Sequence, residues 1–336
     1  MKKLIYTAAV VMCAAVVVAC GGRSGATFVK GSKSNMDSLS YAFGVNIGSG
    51  ITYDMPELKL DWAAMCDAME KELLKSVTVG EEEDEAQNQA RTVLEAFFSG
   101  PRIERMNAKA ESIIAGDSTR QLVREDFVDF DVFQGNEAER KEISVAYGTY
   151  MGVNIRASRL PLHTYWLKQA IQDCAAGEPL FNENYAQALI QDYYITKLPL
   201  QNAAESEAWL AEVEKKKGVQ KTESGLLYRI DREGDMTNKP TAEDTVKVDY
   251  EGKLKDGYVF DSSYERGESI EFPLNGVIKG WTEGLQLVGK GGQITLWIPS
   301  ALGYGVTGSG PIGPNAALEF KVELHDITRA AAQSAE

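Results

Sequence analysis

Histidine and cysteine are scarce in this sequence. Its 336 residues include two histidines, His163 and His325, and four cysteines. Ser–His–Asp catalysis requires a histidine beside the nucleophile, and zinc sites are built largely from histidine and cysteine. The composition therefore offers little support for either chemistry.

An excess of positive charge is also missing. Lysine and arginine number 35 against 49 aspartates and glutamates, which leaves a net charge of −14. Proteins that bind nucleic acid neutralise phosphates with clustered lysine and arginine. The charge balance therefore argues against nucleic acid as a partner.

Apolar runs of membrane-spanning length are absent after the N-terminus. At the N-terminus itself, two lysines precede an apolar run from Leu4 to Ala19, which is too short and wrongly flanked for a mature spanning helix. Cys20 and two glycines follow, an order that resembles a bacterial lipoprotein signal. We predict a signal at 1–20 with a lipidated Cys20, a flexible tether at 21–35, and anchoring to a membrane of the cell envelope, facing the periplasm. The alternative is an ordinary secretory signal with an incidental cysteine.

Cysteine usage in the mature chain is then small. Cys13 leaves with the signal and Cys20 carries lipid, so only Cys66 and Cys174 remain. An oxidising envelope compartment allows a disulfide between them, but two buried free thiols fit the helical patterns around them equally well.

One glycine-rich segment, GYGVTGSGPIGP at 303–314, contains the G-x-G-x-x-G pattern of dinucleotide-binding turns. Such a turn must open a helix that faces the pyrophosphate. The segment continues instead into glycines and two prolines, which cannot start a helix of useful length. A flexible linker is the simpler interpretation, but Tyr304 and Ile312 are unusual in a spacer.

Two stretches between residues 36 and 201 carry the same helical pattern. Apolar residues recur every fourth position in each, as amphipathic helices require. Both contain Gly-Val-Asn-Ile, at 44–47 and 152–155, and each is followed by a second apolar stretch with a tryptophan, Trp62 or Trp166. We therefore predict an all-helical domain with an internal duplication at a spacing of 108 residues. The striped positions are Leu39, Phe43 and Ile47 in the first copy and Tyr147, Met151 and Ile155 in the second.

The rest of the chain changes from helical to β patterning. Residues 202–223 are rich in alanine, glutamate and lysine and predict a linker helix. Residues 224–328 alternate with a period of two, contain a Lys-Asp-Gly hairpin turn at 255–257 and leave room for one brief helix within 277–287. Residues 329–336 form a tail. The predicted fold class is α+β.

Three segments of the β-rich domain resemble FKBP-type peptidyl-prolyl cis-trans isomerases: VDYEGKLKDGYVFDSS, GVIKGWTEGLQLVGKGGQITLWIP and GPIGPNAALEFKVELHDI, in the order of the family. The helices before them resemble the N-terminal domain of envelope members of the macrophage infectivity potentiator type. The resemblance implies an antiparallel sheet wrapped around one short helix, acceleration of X-Pro isomerisation, and no cofactor.

The resemblance also implies an aromatic pocket for the prolyl ring, with Trp281 as its floor and the segment around Tyr304 as a flap. Asp261 matches the pocket aspartate, and the backbone N–H of Ile278 and the hydroxyl of Tyr304 match the groups that hold substrate carbonyls. Without the family order, the aromatics would be read as core residues and Asp261 as a turn residue. The predicted catalytic residues are Tyr250, Phe260, Asp261, Ile278, Trp281, Tyr304 and Phe320. The predicted substrate-binding residues are Val277, Arg266, Ile270 and Ile312, with Ile270 standing where many members have an aromatic.

Two functions follow as hypotheses. The first is an isomerase that assists the folding of exported envelope proteins with X-Pro bonds and takes macrolide inhibitors. The second is a proline-binding chaperone or holdase with incidental isomerase activity. In the resembling envelope members one helical copy per chain pairs with a second chain, so the duplication predicts a monomer with an internal pseudo-dimer, and a homodimer is the alternative.

Overall fold

The computed structural model describes residues 35–75 and 85–330. The predicted signal, Cys20 and nearly all of the tether lie outside the described residues, as does most of the tail. The chain divides into two compact units, one ending at Ile190 and the other starting at Gln191. Each unit is described by itself.

The first unit is all helical, as predicted. Asp61 starts the second helix by accepting a hydrogen bond from the backbone N–H of Ala64 (3.0 Å), and Gly177 ends the seventh helix in the left-handed conformation. The helices are α1 (Asn35–Asp54), α2 (Trp62–Leu73), α3 (Glu85–Ser99), α4 (Pro101–Gly116), α5 (Glu125–Val128), α6 (Glu137–Ala157), α7 (Thr164–Ala176) and α8 (Glu183–Asp192), the last of which crosses the boundary between units.

The two predicted copies correspond to α1 with α2 and to α6 with α7. Each first helix packs along the second helix of the other copy: α1 lies along α7, and α2 lies along α6. Glycines make both approaches close, because a Cβ on Gly44 would overlap the carbonyl of Leu167, and a Cβ on Gly148 would overlap the carbonyl of Met65. Side chains of both predicted stripes meet in one hydrophobic core, where Ile47 is buried; Leu39 is buried but lies outside that cluster.

The structure corrects the predicted spacing of the repeat. Ser40 in α1 accepts a hydrogen bond from the backbone N–H of His163 (2.8 Å), and Ser144 in α6 accepts the matching bond from Asp61 (2.8 Å). Ser144 follows Ser40 by 104 residues and His163 follows Asp61 by 102, so the spacing of 108 is wrong. The predicted spacing is too long by four residues, which is about one helical turn. A shift of one turn keeps the apolar stripe on nearly the same face of the helix, so the periodicity of apolar residues does not reveal the error.

Both cysteines of the described residues are buried free thiols. Burial raises the pKa of Cys66 to about 11 and also raises the pKa of Cys174. Of the two alternatives left open by the sequence, the structure shows the free thiols. None of the helices within 35–75 and 85–330 is long and apolar enough to cross a membrane.

The second unit begins with helix and continues as an antiparallel sheet. A π-helical segment (Tyr193–Lys197) precedes α9 (Leu198–Glu214), which covers most of the predicted linker helix. The strands within the described residues are β1 (Gln220–Lys221), β2 (Leu227–Arg232), β3 (Thr245–Leu254), β4 (Val259–Ser262), β5 (Ile270–Pro273), β6 (Gln293–Ile298) and β7 (Leu318–Thr328). Their order is β1-β2-β6-β7-β3-β4, with β5 also paired to β3.

Alternation along the strands places the core on one face of the sheet. Val246, Val248 and Tyr250 of β3 are buried, and so are the corresponding apolar residues of β7. The predicted hairpin turn joins β3 to β4, and the predicted brief helix is α11 (Lys279–Leu285), which packs against β6. One further turn of helix, α10 (Ser263–Arg266), follows β4. The predicted α+β fold is confirmed.

Candidate active site

The floor of the candidate site is Trp281, on α11. Its side chain is 5% exposed, and three rings stand around it. The ring centroids of Tyr250, Phe320 and Phe272 lie 5.0, 5.1 and 5.4 Å from that of Trp281; the first two rings meet the indole edge to face, and the third is tilted. Edge-to-face contacts of this kind are the favoured arrangement of aromatic pairs. The indole N–H of Trp281 is buried with no partner among the described residues, which costs about 1–3 kcal/mol and is unusual in a site optimised only for stability.

A glycine in β3 makes room for the aromatic wall. Gly252 pairs in register with Phe320 on β7 and with Asp261 on β4. A Cβ at this position would lie 2.6 Å from the ring of Phe320 and 2.8 Å from the ring of Phe260. The rings of Phe260 and Phe320 therefore meet over Gly252, at a centroid distance of 5.5 Å.

Polar groups form the other wall. The hydroxyl of Tyr250 donates a hydrogen bond to Asp261, and Arg266 forms an ion pair with the second oxygen of the same carboxylate. Arg266 also donates to the Tyr250 hydroxyl (3.0 Å). Burial raises the pKa of Tyr250 to about 12, and the hydrogen bond to Asp261 adds to the rise. The carboxylate is thereby held in one orientation at the edge of the aromatic cluster.

A hydrogen-bonded network holds this wall from behind. Ser263 accepts from the backbone N–H of Tyr250 (2.9 Å) and donates to Asp249 (2.9 Å). The other oxygen of Asp249 contacts Ser269 (3.1 Å) and His325 (2.7 Å). Burial alone would raise the pKa of Asp249, but these hydrogen bonds outweigh it and the net pKa is lowered. None of these supporting residues was predicted from the sequence, since their roles depend on the register of β3, β7 and α10.

The predicted flap is a tight turn over the pocket. Ser309 and Ile312 exchange backbone hydrogen bonds of 2.8 and 2.9 Å. Gly308 is in the left-handed region at a φ of 72°, and any side chain there would overlap the carbonyl of Ile312. Ile312 is buried, whereas Tyr304 is 38% exposed. Burial raises the pKa of Tyr304, and the charge of Asp261 raises it further.

Two donors at the rim are unused within the described residues. The backbone N–H of Ile278, the residue before α11, makes no hydrogen bond there, and neither does the hydroxyl of Tyr304. These are the two groups predicted to hold substrate carbonyls. Val277, Ile278 and Ile270 are partly buried against the same core as Trp281.

Helix α9 braces the flap, a feature that the sequence did not predict. Ser206 is buried, donates to the carbonyl of Asn315 (3.0 Å) and accepts from the backbone N–H of Ala317 (2.9 Å). Asn202 donates to the carbonyl of Pro314 (2.9 Å). A Cβ on Gly313 would come within 2.8 Å of the Asn202 amide, which explains why the flap has a glycine there.

Most of the predicted site residues come together, and one aromatic residue of the cluster was missed. Nine of the other ten predicted site residues lie in the core that contains Trp281 or bond to Tyr250 at its edge, and Tyr304 lies on the flap segment that also carries Ile312. Phe272 was not predicted, although it shares a face of β5 with Ile270 and the period of two would have found it. The roles of these residues in catalysis remain predictions. No group of three or more metal-ligating side chains occurs within 35–75 and 85–330.

Two family models match parts of the chain. Residues 236–325 match the family model described as "FKBP-type peptidyl-prolyl cis-trans isomerase". Residues 140–230 match the model of the domain amino terminal to such isomerases, which begins in α6 and therefore leaves out the first helical copy.

Individual relatives extend the match. The FKBP-type peptidyl-prolyl cis-trans isomerase FkpA of Aeromonas hydrophila is 38% identical over 203 residues, which are 56% of this chain and 75% of the relative. A probable FKBP-type isomerase of Haemophilus influenzae is 54% identical over 125 residues, or 37% of this chain and 51% of the relative. The crystal structure of FkpA from Escherichia coli is 33% identical and aligns with a TM-score of 0.46 over 59% of this chain and 99% of that one. The chain belongs to the FKBP-type peptidyl-prolyl cis-trans isomerases.

Proposed function

We propose that the pocket over Trp281 receives the prolyl ring and that rotation about the preceding amide is accelerated without a covalent step. This rotation faces a barrier of about 18–20 kcal/mol because it breaks amide resonance, and unaided it takes tens of seconds or more. The twisted amide has less double-bond character and a less polar carbonyl than the planar one. An aromatic cavity that excludes water therefore favours the twisted form over the planar, hydrated one.

The observation that carries the proposal is the pair of unused donors beside the aromatic cluster. The N–H of Ile278 and the hydroxyl of Tyr304 can hold the carbonyls on either side of the proline, while Asp261 stays fixed by Tyr250 and Arg266. These groups orient the substrate and need no nucleophile. Lowering the barrier by about 7 kcal/mol would raise the rate by about five decades.

Refolding kinetics test this function against the holdase alternative. A client whose slow refolding phase is limited by X-Pro isomerisation is compared with a proline-free client of similar size. We expect the protein to accelerate only the first, and the double variant Asp261→Ala/Tyr304→Phe to lose most of that acceleration. Equal assistance to both clients, undiminished in the variant, would instead identify a holdase.

We further propose that the clients are exported proteins and that the enzyme acts from a lipid anchor at Cys20, in the cell envelope and facing the periplasm. The order of lysines, apolar run, Cys20 and glycines supports this. One lipid-modified residue would be the main membrane anchor, so Cys20→Ser should move the protein from the membrane fraction to the soluble one. Retention of the variant on membranes after a salt wash would contradict the anchor.

A monomer is the proposed assembly. Its support is that each helical copy finds its partner within the same chain, as α1 with α7 and α2 with α6. A tethered partner has a high effective concentration, which favours internal pairing over pairing with a second chain. Light scattering on residues 21–336 should give the mass of one chain, and a mass of two chains that persists on dilution would exclude the proposal.

A further inference from the structure

The duplication creates two equivalent surfaces, and one of them is covered. The outer surface of the α1–α7 pair is covered by α8, which lies in the same unit up to Ile190. Ala186 of α8 is fully buried there, and Phe181 and Leu189 pack against the same cluster. An amphipathic helix is thus the natural occupant of this surface.

Among residues 35–75 and 85–330, no helix covers the equivalent surface of the α2–α6 pair. It forms a groove of about 490 Å³, lined in part by Ala64, Ala68, Val145 and Thr149. The spacings of 102 and 104 residues make Ala64 the counterpart of Trp166 and Val145 the counterpart of Tyr41. In the covered surface those two aromatic rings contact each other at 6.5 Å.

Ala64 and Val145 therefore leave space in the groove, whereas the rings of Trp166 and Tyr41 fill the corresponding space in the covered surface. An occupant must carry larger apolar side chains than α8 does in order to fill that space. Val145 is 40% exposed, so an occupant of the groove has apolar surface to cover there.

The groove also differs in charge. Lys71 and Lys141 line it, and neither makes an ion pair or hydrogen bond with a described residue. The acidic residues of the groove are already engaged: Glu72 with Lys75, Asp67 with Lys168, and Asp61 with the backbone of Ala64. The counterparts of the two lysines in the covered surface are aspartates, Asp173 and Asp37.

The two lysines stand at opposite ends of the groove. Lys141 is at the start of α6. Lys71 lies further along, beside Gly152 of α6, because a Cβ added to Gly152 would meet Met69 and Glu72, which flank Lys71 in α2. Eleven helical residues separate position 141 from position 152, or about 16 Å along the axis. Two positive charges at this spacing, neither of them paired with a described residue, match acidic residues near the two ends of a three-turn helix.

We propose that the α2–α6 groove binds an amphipathic α-helix of another protein, with bulky apolar residues on one face and acidic residues near both ends. The covered surface gives the mode of docking, and the two lysines give the charge of the partner. A second copy of this chain is a poor occupant because the apolar face of its own α8 is already buried. The proposal does not depend on the proline pocket.

A peptide derived from α8 is a suitable probe. It spans residues 180–194 of this chain, contains no proline, carries Glu183 and Asp192 near its ends, and has the change Ala186→Leu. Leucine at this position does not fit the covered surface, where Ala186 is fully buried, but the open groove has room for it. Fluorescence anisotropy of the labelled peptide with the full chain measures binding.

Protein variants locate the binding. Ala64→Trp restores the ring found in the covered surface and should weaken binding about tenfold or more, and so should the double variant Lys71→Glu/Lys141→Glu. Ala108→Trp, on the exposed part of α4, is the matched control and should bind as the unchanged protein does. Thermal unfolding of Ala64→Trp and Ala108→Trp checks that both fold, and Val145→Tyr fills the groove independently.

Several results would overturn the proposal. These are no binding at about 1 mM peptide, equal binding by the filled-groove variants, or equal binding of a peptide in which Glu183 and Asp192 are changed to lysine. Self-association of the protein that Ala64→Trp abolishes would identify a second copy as the occupant and would also overturn it. X-Pro isomerisation by the same samples is measured in parallel, so failure here is distinguishable from failure of the proposed catalysis.

Discussion

Removing one hydroxyl from α9 should loosen the flap. Ser206→Ala leaves the backbone N–H of Ala317 without an acceptor at a position that is 2% exposed, and it also removes the donor to Asn315. An unpaired buried donor costs about 1–3 kcal/mol and the second, less buried bond about 1 kcal/mol, so we expect a loss of about 2–4 kcal/mol. That is a large share of the 5–15 kcal/mol of typical domains.

The loss should be measurable in stability and in activity. Urea unfolding should show the lower stability, and hydrogen exchange should show faster exchange in residues 303–317 than elsewhere in the sheet. Because the same flap carries Tyr304 and Ile312, KM for a prolyl peptide should rise more than kcat falls. Glu207→Ala, one position along α9 and exposed, is the control. A change below about 0.5 kcal/mol with an unchanged KM would refute the bracing role of α9.

Two further predictions concern packing and pH. Gly148→Ala should destabilise the helical unit by about 1–3 kcal/mol or more, because the added Cβ would overlap the carbonyl of Met65. Gly50→Ala is the control: a Cβ there meets nothing within 4 Å, so the change should be neutral or stabilising. Equal effects of the two changes in thermal unfolding would exclude close packing of α2 on α6. Asp244 is buried and accepts hydrogen bonds from Thr241, Arg329 and the backbone of Ala330. Burial alone would raise the pKa of Asp244, but these hydrogen bonds hold the pKa well below its usual range. Its contribution to stability is therefore complete above the unfolded pKa of about 3.9 and is lost as the pH falls below it. The stability difference between wild type and Asp244→Asn should be constant down to about pH 5 and shrink below about pH 4, and a difference that grows on acidification would contradict the assignment.

Patterns with a short period were readable from the sequence. The alternation of β3 and β7, the hairpin turn and α11 depend on neighbouring residues, and all were predicted. The pocket residues were found because the family motifs keep their order, although Phe272 was overlooked. Composition alone would have left Trp281 and Phe320 as ordinary core aromatics.

Features that depend on register or on distant contacts were not readable. Sequence identity at Gly-Val-Asn-Ile suggested a spacing of 108, while hydrogen bonds at Ser40 and Ser144 require 104. A shift of one turn preserves the apolar stripe, so only tertiary contacts distinguish the two. The bonds from Ser206 and Asn202 to the flap span more than 100 residues, and nothing local in either segment indicates them.

Catalysis of X-Pro isomerisation by the pocket over Trp281 is the central claim, and a prolyl-peptide assay on residues 21–336 tests it most directly. The account predicts that Phe260→Ala, which removes a ring packed on Phe320, lowers kcat/KM at least about tenfold. For Tyr264→Ala, which removes a ring that is 48% exposed, it predicts a kcat/KM within about twofold of the wild-type value. Both variants should keep the melting behaviour of a folded sheet. Equal activity of the two variants, or a wild-type rate no faster than the uncatalysed one, would contradict it.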